Sequence, residues 1–525
     1  MKFTIRAVFK RSVTIELDNE TICYASKPYR VLLNGEERIR SKLNVLTLEG
    51  LQPDTEYTLT VKTDEEEETQ FFHTEVESVL LDVRAFGAAG DGQQDDTVYL
   101  QAAISACPEN GTVYVPAGTW RTRPLFMKSH MSLWLEEGAV LQGDPDRQHY
   151  PQLPGMTKTT DGKDEYNLSS WEGNPETSFA SLITGIQVEH LDIVGKGHIN
   201  GGGAQGDWWQ EPKKKRIAWR PNTLFFNHCQ HVRLQSITVE NSPSWTVHPY
   251  YTDHIGVYNV TIFNPSDSPN TDGFDPESCD DILILGTTIS VGDDCIAIKS
   301  GKYYMSEKHH KIADHFTIRN SFLERGHGSV TVGSEAAGGV QNVEVSQCIF
   351  DGTDRGLRIK TRRGRGPKAL YDHIFFHHIE MKNVHMPFTF NMFYFCDPDG
   401  HSDYVQNQSF HPVDDRTPTI GTIRAENIVC TGVDACMLVA YGLPERYIEH
   451  IALKNITATF LPKTERSPRQ TIMMDNFPAM TGRSIYARNV KRLSLENIEI
   501  TGSDDTEPVL QDVMDYEGIH VVLNS

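Results

Sequence analysis

Several things are scarce in this chain, and each shortage excludes a class of protein. Its nine cysteines stand singly, without a CxxC pair. An odd number with no metal-ligand spacing argues against a disulfide framework and against a zinc site, and fits small buried hydrophobes in a reducing compartment. No stretch approaches the roughly 18 consecutive apolar residues of a membrane helix. Positive charge is in deficit, with 49 Lys and Arg against 71 Asp and Glu and a formal net charge of −22. Such a chain lacks the basic footprint that nucleic acid or an anionic membrane requires. The first residues, MKFTIRAVFKRSVTIELDNE, lack the apolar core and small-residue cleavage site of a secretory signal, so a cytoplasmic protein is expected. No cofactor and no metal is expected.

The chain is long. At 525 residues it exceeds one ordinary core, which leaves two domains or one long solenoid. Residues 1–77 read as a small β-sandwich of short alternating strands, with Asn34-Gly35 as a type I′ hairpin turn. The run Leu51, Pro53, Thr55, Tyr57 resembles the corner of fibronectin type III domains, where the Tyr hydroxyl ties the chain to its own backbone. The acidic stretch Asp64–Glu68 reads as a solvated hairpin tip.

From residue 78 to 525 the texture changes. A strand and a Gly-rich turn lead to Asp95-Asp96, read as the cap of a helix whose apolar face is Val98, Leu100, Ala103 and Ile104. Placed here, the helix would plug the open end of a solenoid. Beyond residue 180, units of strand, tight Asn/Gly/Asp turn and strand recur about every 25 to 40 residues, the spacing of one supersecondary unit per repeat. They lack a helical pattern, which excludes leucine-rich and ankyrin solenoids, and have too few strands for propeller blades. An all-β chain built on a right-handed parallel β-helix is the remaining architecture. Stretches that break the rhythm, near Asp144–Glu172 and Cys396–Thr417, are expected to wall a cleft.

In a parallel solenoid, sequence period becomes spatial contact, because successive coils lie one strand spacing apart. Asn270-Thr271-Asp272-Gly273 precedes Gly292-Asp293-Asp294 by about one coil, which sets Asp272 beside Asp293 and Asp294. Crowded carboxylates cannot all ionise at neutral pH. One is expected to keep its proton as a general acid while another activates water, the two-carboxylate requirement of glycoside hydrolysis. Later coils bring His327, between Gly326 and Gly328, and then Arg358 and Lys360, which project from one side of a strand. The segment 354–365 concentrates cations in an acidic chain, so a carboxylated sugar is the natural ligand, gripped by Arg358 and Lys360.

The motifs NTDG, GDD, GHG and RIK occur here in the order found in polygalacturonases, and residues 80 to 510 resemble bacterial members of that family of β-helix glycoside hydrolases. The resemblance implies inverting hydrolysis of α-1,4-galacturonosyl linkages in galacturonate-containing oligo- or polysaccharide. It implies Asp293 as acid, Asp272 and Asp294 holding the attacking water, His327 tuning the acid or binding substrate, and Arg358 and Lys360 on a galacturonate carboxylate. Ser329 departs from the small apolar residue usual after GHG. A fibronectin-like module with long loops resembles the exo-acting members. The rival readings are a Ca²⁺-dependent pectate lyase on the same solenoid and a non-catalytic carbohydrate-binding β-helix.

Other residues carry weaker signals. His248, in WTVHPYY, is a candidate subsite residue. Arg362, Arg363 and Arg365 fit either a solvated turn or a substrate rim. Trp208, Trp209 and Trp245 read as packing under loops, and Asp275, Asp280 and Asp281 as turn residues.

Overall fold

Alternation of apolar and polar side chains dictates the first part of the chain. In the computed structural model, which describes residues 2–524, residues 3–73 form two antiparallel sheets of three and four strands around Val13, Ile15, Tyr29, Val31, Leu59 and Val61. Asn34 and Gly35 both take the left-handed conformation that a type I′ hairpin demands, with φ of 51° and 83°. The Tyr57 hydroxyl accepts the Gln52 backbone N–H at 2.8 Å, the tie-back expected of the corner. Strands Glu56–Lys62 and Glu67–His73 place the acidic stretch at their connecting tip.

The strand Leu80–Asp82 pairs in parallel with Thr112–Tyr114 and begins a stack of parallel coils that continues to the final strand, Val509–Asn524. The register explains the core. Leu191, Val232, Ile255, Ile282, Phe316 and Val343 follow one another in neighbouring strands and are almost wholly buried. Each such side chain contributes roughly 1.5 to 3 kcal/mol by leaving water. A second inward row runs Val247, Phe274, Ile296, Val330, Leu357 and Phe388. Residues alternating with this second row face outward, and they build the candidate site.

The helix Thr97–Ala106 closes the first coils with Leu100, Ala103 and Ile104. Two details differ from the sequence reading. Val98 is 67% exposed, because the end of the solenoid needs only a narrow apolar stripe. Asp96 does not cap the helix with its side chain: it accepts the Ala89 and Gly90 N–H groups at 2.8 and 3.1 Å, holding the Gly-rich turn, while Asp95 accepts from Thr97.

The N-terminal module lies along the flank of the solenoid. Arg233 joins Glu75 at 2.9 Å and Asp192 at 2.7 Å, and Glu16 accepts from Arg319 at 2.6 Å and Asn320 at 2.8 Å. Gln347 donates to the Asn19 and Thr21 carbonyls at 2.8 Å. All nine cysteines are free thiols, eight of them buried.

Candidate active site

Register brings the carboxylates together. Phe274 pairs with Ile296, so Asp272 sits opposite Asp294, and the backbone N–H of Gly273 donates to the Asp294 carbonyl at 3.0 Å. Oxygens of Asp272, Asp293 and Asp294 all lie within 4.8 Å of one another. Their surroundings differ. The Asp294 side chain is wholly buried, that of Asp272 nearly so, and that of Asp293 is 21% exposed toward the cleft.

Arg358 and Lys360 project outward from the strand Arg355–Lys360 between inward Leu357 and Ile359. Arg358 reaches one Asp294 oxygen at 3.2 Å and Lys360 the other at 2.7 Å. Burial opposes the Asp294 charge, but the two cations outweigh it and hold this carboxyl below its ordinary range. Both cations also lie over the Tyr394 ring, at 5.7 and 5.5 Å. His327 Nδ1 stands 3.1 Å from Asp293. For Asp293, burial is again overcome, here by the His327 hydrogen bond, and the carboxyl moves down while the imidazole moves up. Gly328 is required here, since a Cβ would fall 2.8 Å from the Asp294 oxygen.

Asp272 behaves oppositely. Burial, reinforced by the neighbouring Asp293, raises it to about 8. One carboxyl of the cluster is therefore neutral at neutral pH, as crowding predicts, and in the free protein it is Asp272 and not Asp293.

Beneath the cluster lies a layer that sequence reasoning missed. Lys299 is buried, 3.0 Å from Glu335, 3.5 Å from Asp275 and 4.0 Å from Asp272, with its ammonium 4.2 Å from the centroid of the Trp245 ring. Asp275 is no turn residue: it is fully buried, and burial followed by Asp272 pushes it well up. Trp245 is buried, as packing under loops requires, and it also lines the cleft. The signal for Lys299 was its alternation with inward Ile296 and Ile298, which puts it on the outward strip.

His248 does not reach the cleft. Next to inward Val247 it stands on the outward strip, but it is covered there, with Nε2 2.9 Å from Glu277, Nδ1 3.2 Å from Asn222 and the Trp245 ring centroid 5.0 Å away. Arg362, Arg363 and Arg365 form neither a solvated turn nor a rim. They are buried against Asp399, Glu445 and Asp397 at 2.7, 2.6 and 2.9 Å, and fix the loops. Trp208 is buried packing as expected.

The cleft above the carboxylates encloses about 740 Å³. Trp171 and Glu172 wall it from one loop and Cys396, Asp397 and Pro398 from another. Lys302 joins the two loops, its backbone N–H donating to Gly173 at 2.9 Å and its ammonium lying 2.6 Å from Asp397. An anionic sugar entering here meets cations, a neutral carboxyl and two ionised ones. That set can bind a carboxylate, protonate an oxygen and deprotonate a water.

Comparison with known proteins agrees in sequence and shape. The family described as Glycosyl hydrolases family 28 matches residues 143–407. The "Probable polygalacturonase" of Vitis vinifera is 30% identical over 391 residues, 73% of this chain and 75% of its own. The "Exo-poly-alpha-D-galacturonosidase" of Dickeya chrysanthemi is 24% identical over 411 residues, 68% of this chain and 65% of its own. The family 28 exopolygalacturonase structure from Yersinia enterocolitica superposes with a TM-score of 0.69 at 16% identity and 99% coverage of both chains, a likeness of fold.

Proposed function

Because the chain belongs to glycosyl hydrolases family 28, we propose that it hydrolyses α-1,4-galacturonosyl linkages, acts from the chain end, and inverts the anomeric configuration. The observation that carries this reading is the trio Asp272, Asp293 and Asp294 within 4.8 Å, beneath a cleft in which Arg358 and Lys360 supply paired positive charge. A galacturonate carboxylate docks against these cations and brings the scissile bond over the cluster.

Asp293 faces the cleft and shares a proton with His327 across their 3.1 Å hydrogen bond. That proton goes to the leaving glycosidic oxygen as the C1–O bond breaks. Asp272 and Asp294 hold the water that adds to C1: neutral Asp272 orients it by a hydrogen bond, and ionised Asp294 takes the proton it loses. One proton leaves the His327–Asp293 side and one arrives on the other, so exchange with solvent resets the site.

Inversion and retention draw support from different observations. Retaining glycosidases place their carboxyls about 5 to 5.5 Å apart and inverting ones about 6.5 to 9.5 Å, and the close spacing here lies nearer the first range. A retaining nucleophile, however, must touch C1. Asp294 is buried with both oxygens engaged by cations, and Asp272 holds a proton, so neither is free to attack. Accessibility therefore favours water. Proton NMR of the first-formed product decides: the β anomer appearing first supports inversion, and the α anomer first overturns it.

A lyase reading needs Ca²⁺ at the carboxylates, but Lys299, Arg358 and Lys360 already occupy that field with positive charge. The exo reading draws on the Lys302 link between the two loops that wall the cleft and on the exo-acting relative.

A further inference from the structure

The cleft carries a second concentration of positive charge, on the side of the carboxylates away from Arg358 and Lys360. Register orders the strip. Leu224, Val247, Phe274, Ile296, Val330 and Leu357 are parallel partners in successive strands, so the coils crossing the cleft present Trp219, Trp245, Asp272, Asp294, His327 and Arg358 in that order. Trp219 therefore belongs to a coil two strand spacings from that of Asp272, roughly 10 Å away. There the Trp171 and Trp219 rings stack with centroids 4.5 Å apart and planes within 2° of parallel. Both rings line the cleft, as do Lys213 and Asn270. Lys213 opens the basic run Lys213-Lys214-Lys215-Arg216. Its side chain is 62% exposed and its ammonium pairs with Glu172, which leaves donors for a second anion.

Beneath this wall lies Arg220, only 5% exposed. It donates to the Pro243 and Pro269 carbonyls at 2.7 and 2.9 Å and to Asn270 Oδ1 at 2.8 Å, and its Nε has no partner. Among the described residues no carboxylate forms an ion pair with it, and burial lowers it to about 10. Arg365 shows the contrasting arrangement, buried with Asp397 at 2.9 Å. A desolvated cation without a counter-ion is costly, and an anion brought nearby offsets that cost. Lys213 and Glu172 neutralise each other, so the charge of Arg220 is the surplus at this end of the cleft. Arg220 also fixes the Asn270 amide: its oxygen turns to the guanidinium, and among the described residues its N–H groups have no partner and are left for a ligand.

We propose that Lys213 and Asn270, against the wall of Trp171 and Trp219, form a second subsite for a sugar carboxylate. The identity of the sugar rests on the hydrolase reading given above. Arg358 and Lys360 take the carboxylate on one side of the scissile bond, and this subsite takes the one on the other. Lys213 meets the anion directly, while Arg220 acts through the Asn270 amide in a low-dielectric setting that screens its charge little. The cleft therefore selects a chain whose end unit carries a free carboxylate, since an esterified or neutral end sugar forgoes this attraction.

The test is titration calorimetry with trigalacturonate at neutral pH, on the full chain carrying Asp293→Asn to stop turnover, alone and combined with Lys213→Met, Lys213→Arg or Lys214→Met. Lys214 is the control, equally exposed but paired with Glu211 at 3.2 Å and absent from the cleft lining. The lysine variants alter exposed side chains, so the fold is kept. Lys213→Met should weaken binding about tenfold, the worth of one hydrogen bond between charged groups. Lys213→Arg should restore it to within about threefold, because the charge and its donors return, and Lys214→Met should leave it unchanged. Trigalacturonate that does not bind, binding indifferent to Lys213→Met, an equal loss in Lys214→Met, or a loss that Lys213→Arg does not repair would each overturn the subsite. Hydrolysis of trigalacturonate by the wild type is followed in parallel. Turnover without a Lys213 effect on binding removes the subsite and leaves the hydrolase reading standing, whereas a Lys213 effect without turnover does the reverse.

Discussion

Replacing Asp272 with Asn should stabilise the protein while abolishing hydrolysis, and the gain should grow with pH. Burial and Asp293 raise this carboxyl to about 8 in the folded protein, whereas an unfolded Asp titrates near 3.9. Between those values the folded state binds a proton that the unfolded state has released, so stability falls as pH rises through that window and the loss is complete above it. At pH 7 the interval spans roughly three decades, a ceiling of about 4 kcal/mol at 1.36 kcal/mol each. Asn never pays this cost. Guanidinium unfolding of both proteins at about pH 4, 7 and 9 reads the difference, and a quarter of the ceiling shifts the midpoint measurably. The expected series is little gain at pH 4, clear gain at pH 7 and most at pH 9. An identical difference at all three values, or a variant less stable at pH 9, would refute the claim that Asp272 holds the proton of the cluster.

Asp293→Asn should cut hydrolysis by about 10² to 10⁴, the usual worth of a general acid, while equilibrium binding of an oligogalacturonide persists. Lys360→Met removes the 2.7 Å partner of a buried Asp294, costing about 3 kcal/mol in stability and about 100-fold in kcat/KM. Because the Asp294 carboxyl is held down, the stability that Lys360 supports is present above an unfolded value near 3.9 and disappears as pH falls below it; unfolding at neutral and acid pH checks this. Phe350→Ala empties a fully buried position in the coil stack and should cost about 3 to 5 kcal/mol by denaturant unfolding. Tyr57→Phe deletes the 2.8 Å bond to the Gln52 N–H, which should lower stability by about 1 kcal/mol and leave hydrolysis unchanged.

The coil architecture was legible because period and register are the same thing in a parallel solenoid. The interval from Asp272 to Asp293 translates directly into neighbouring coils, and the i, i+2 spacing of Arg358 and Lys360 into one face. What stayed hidden depends on how strands pack against one another. His248 and Trp245 lie close in WTVHPYY, yet one enters the buried layer and the other the cleft. Asp275 resembled a turn residue because its partner, Lys299, comes from the next coil. The arginines at 362, 363 and 365 were ambiguous because their carboxylate partners lie about 30 to 80 residues downstream, in loops without periodicity. Which carboxyl keeps its proton is decided by burial and by His327 against Lys360, none of which spacing reveals.

The most direct test is a chromatographic time course of products from polygalacturonate and from a defined oligogalacturonide, with a chelator present throughout. Saturated galacturonate monomer or dimer released from the first time point is the predicted result. A spread of intermediate oligomers would contradict the chain-end mode, and release that begins only when Ca²⁺ is restored, giving an unsaturated product, would contradict hydrolysis itself.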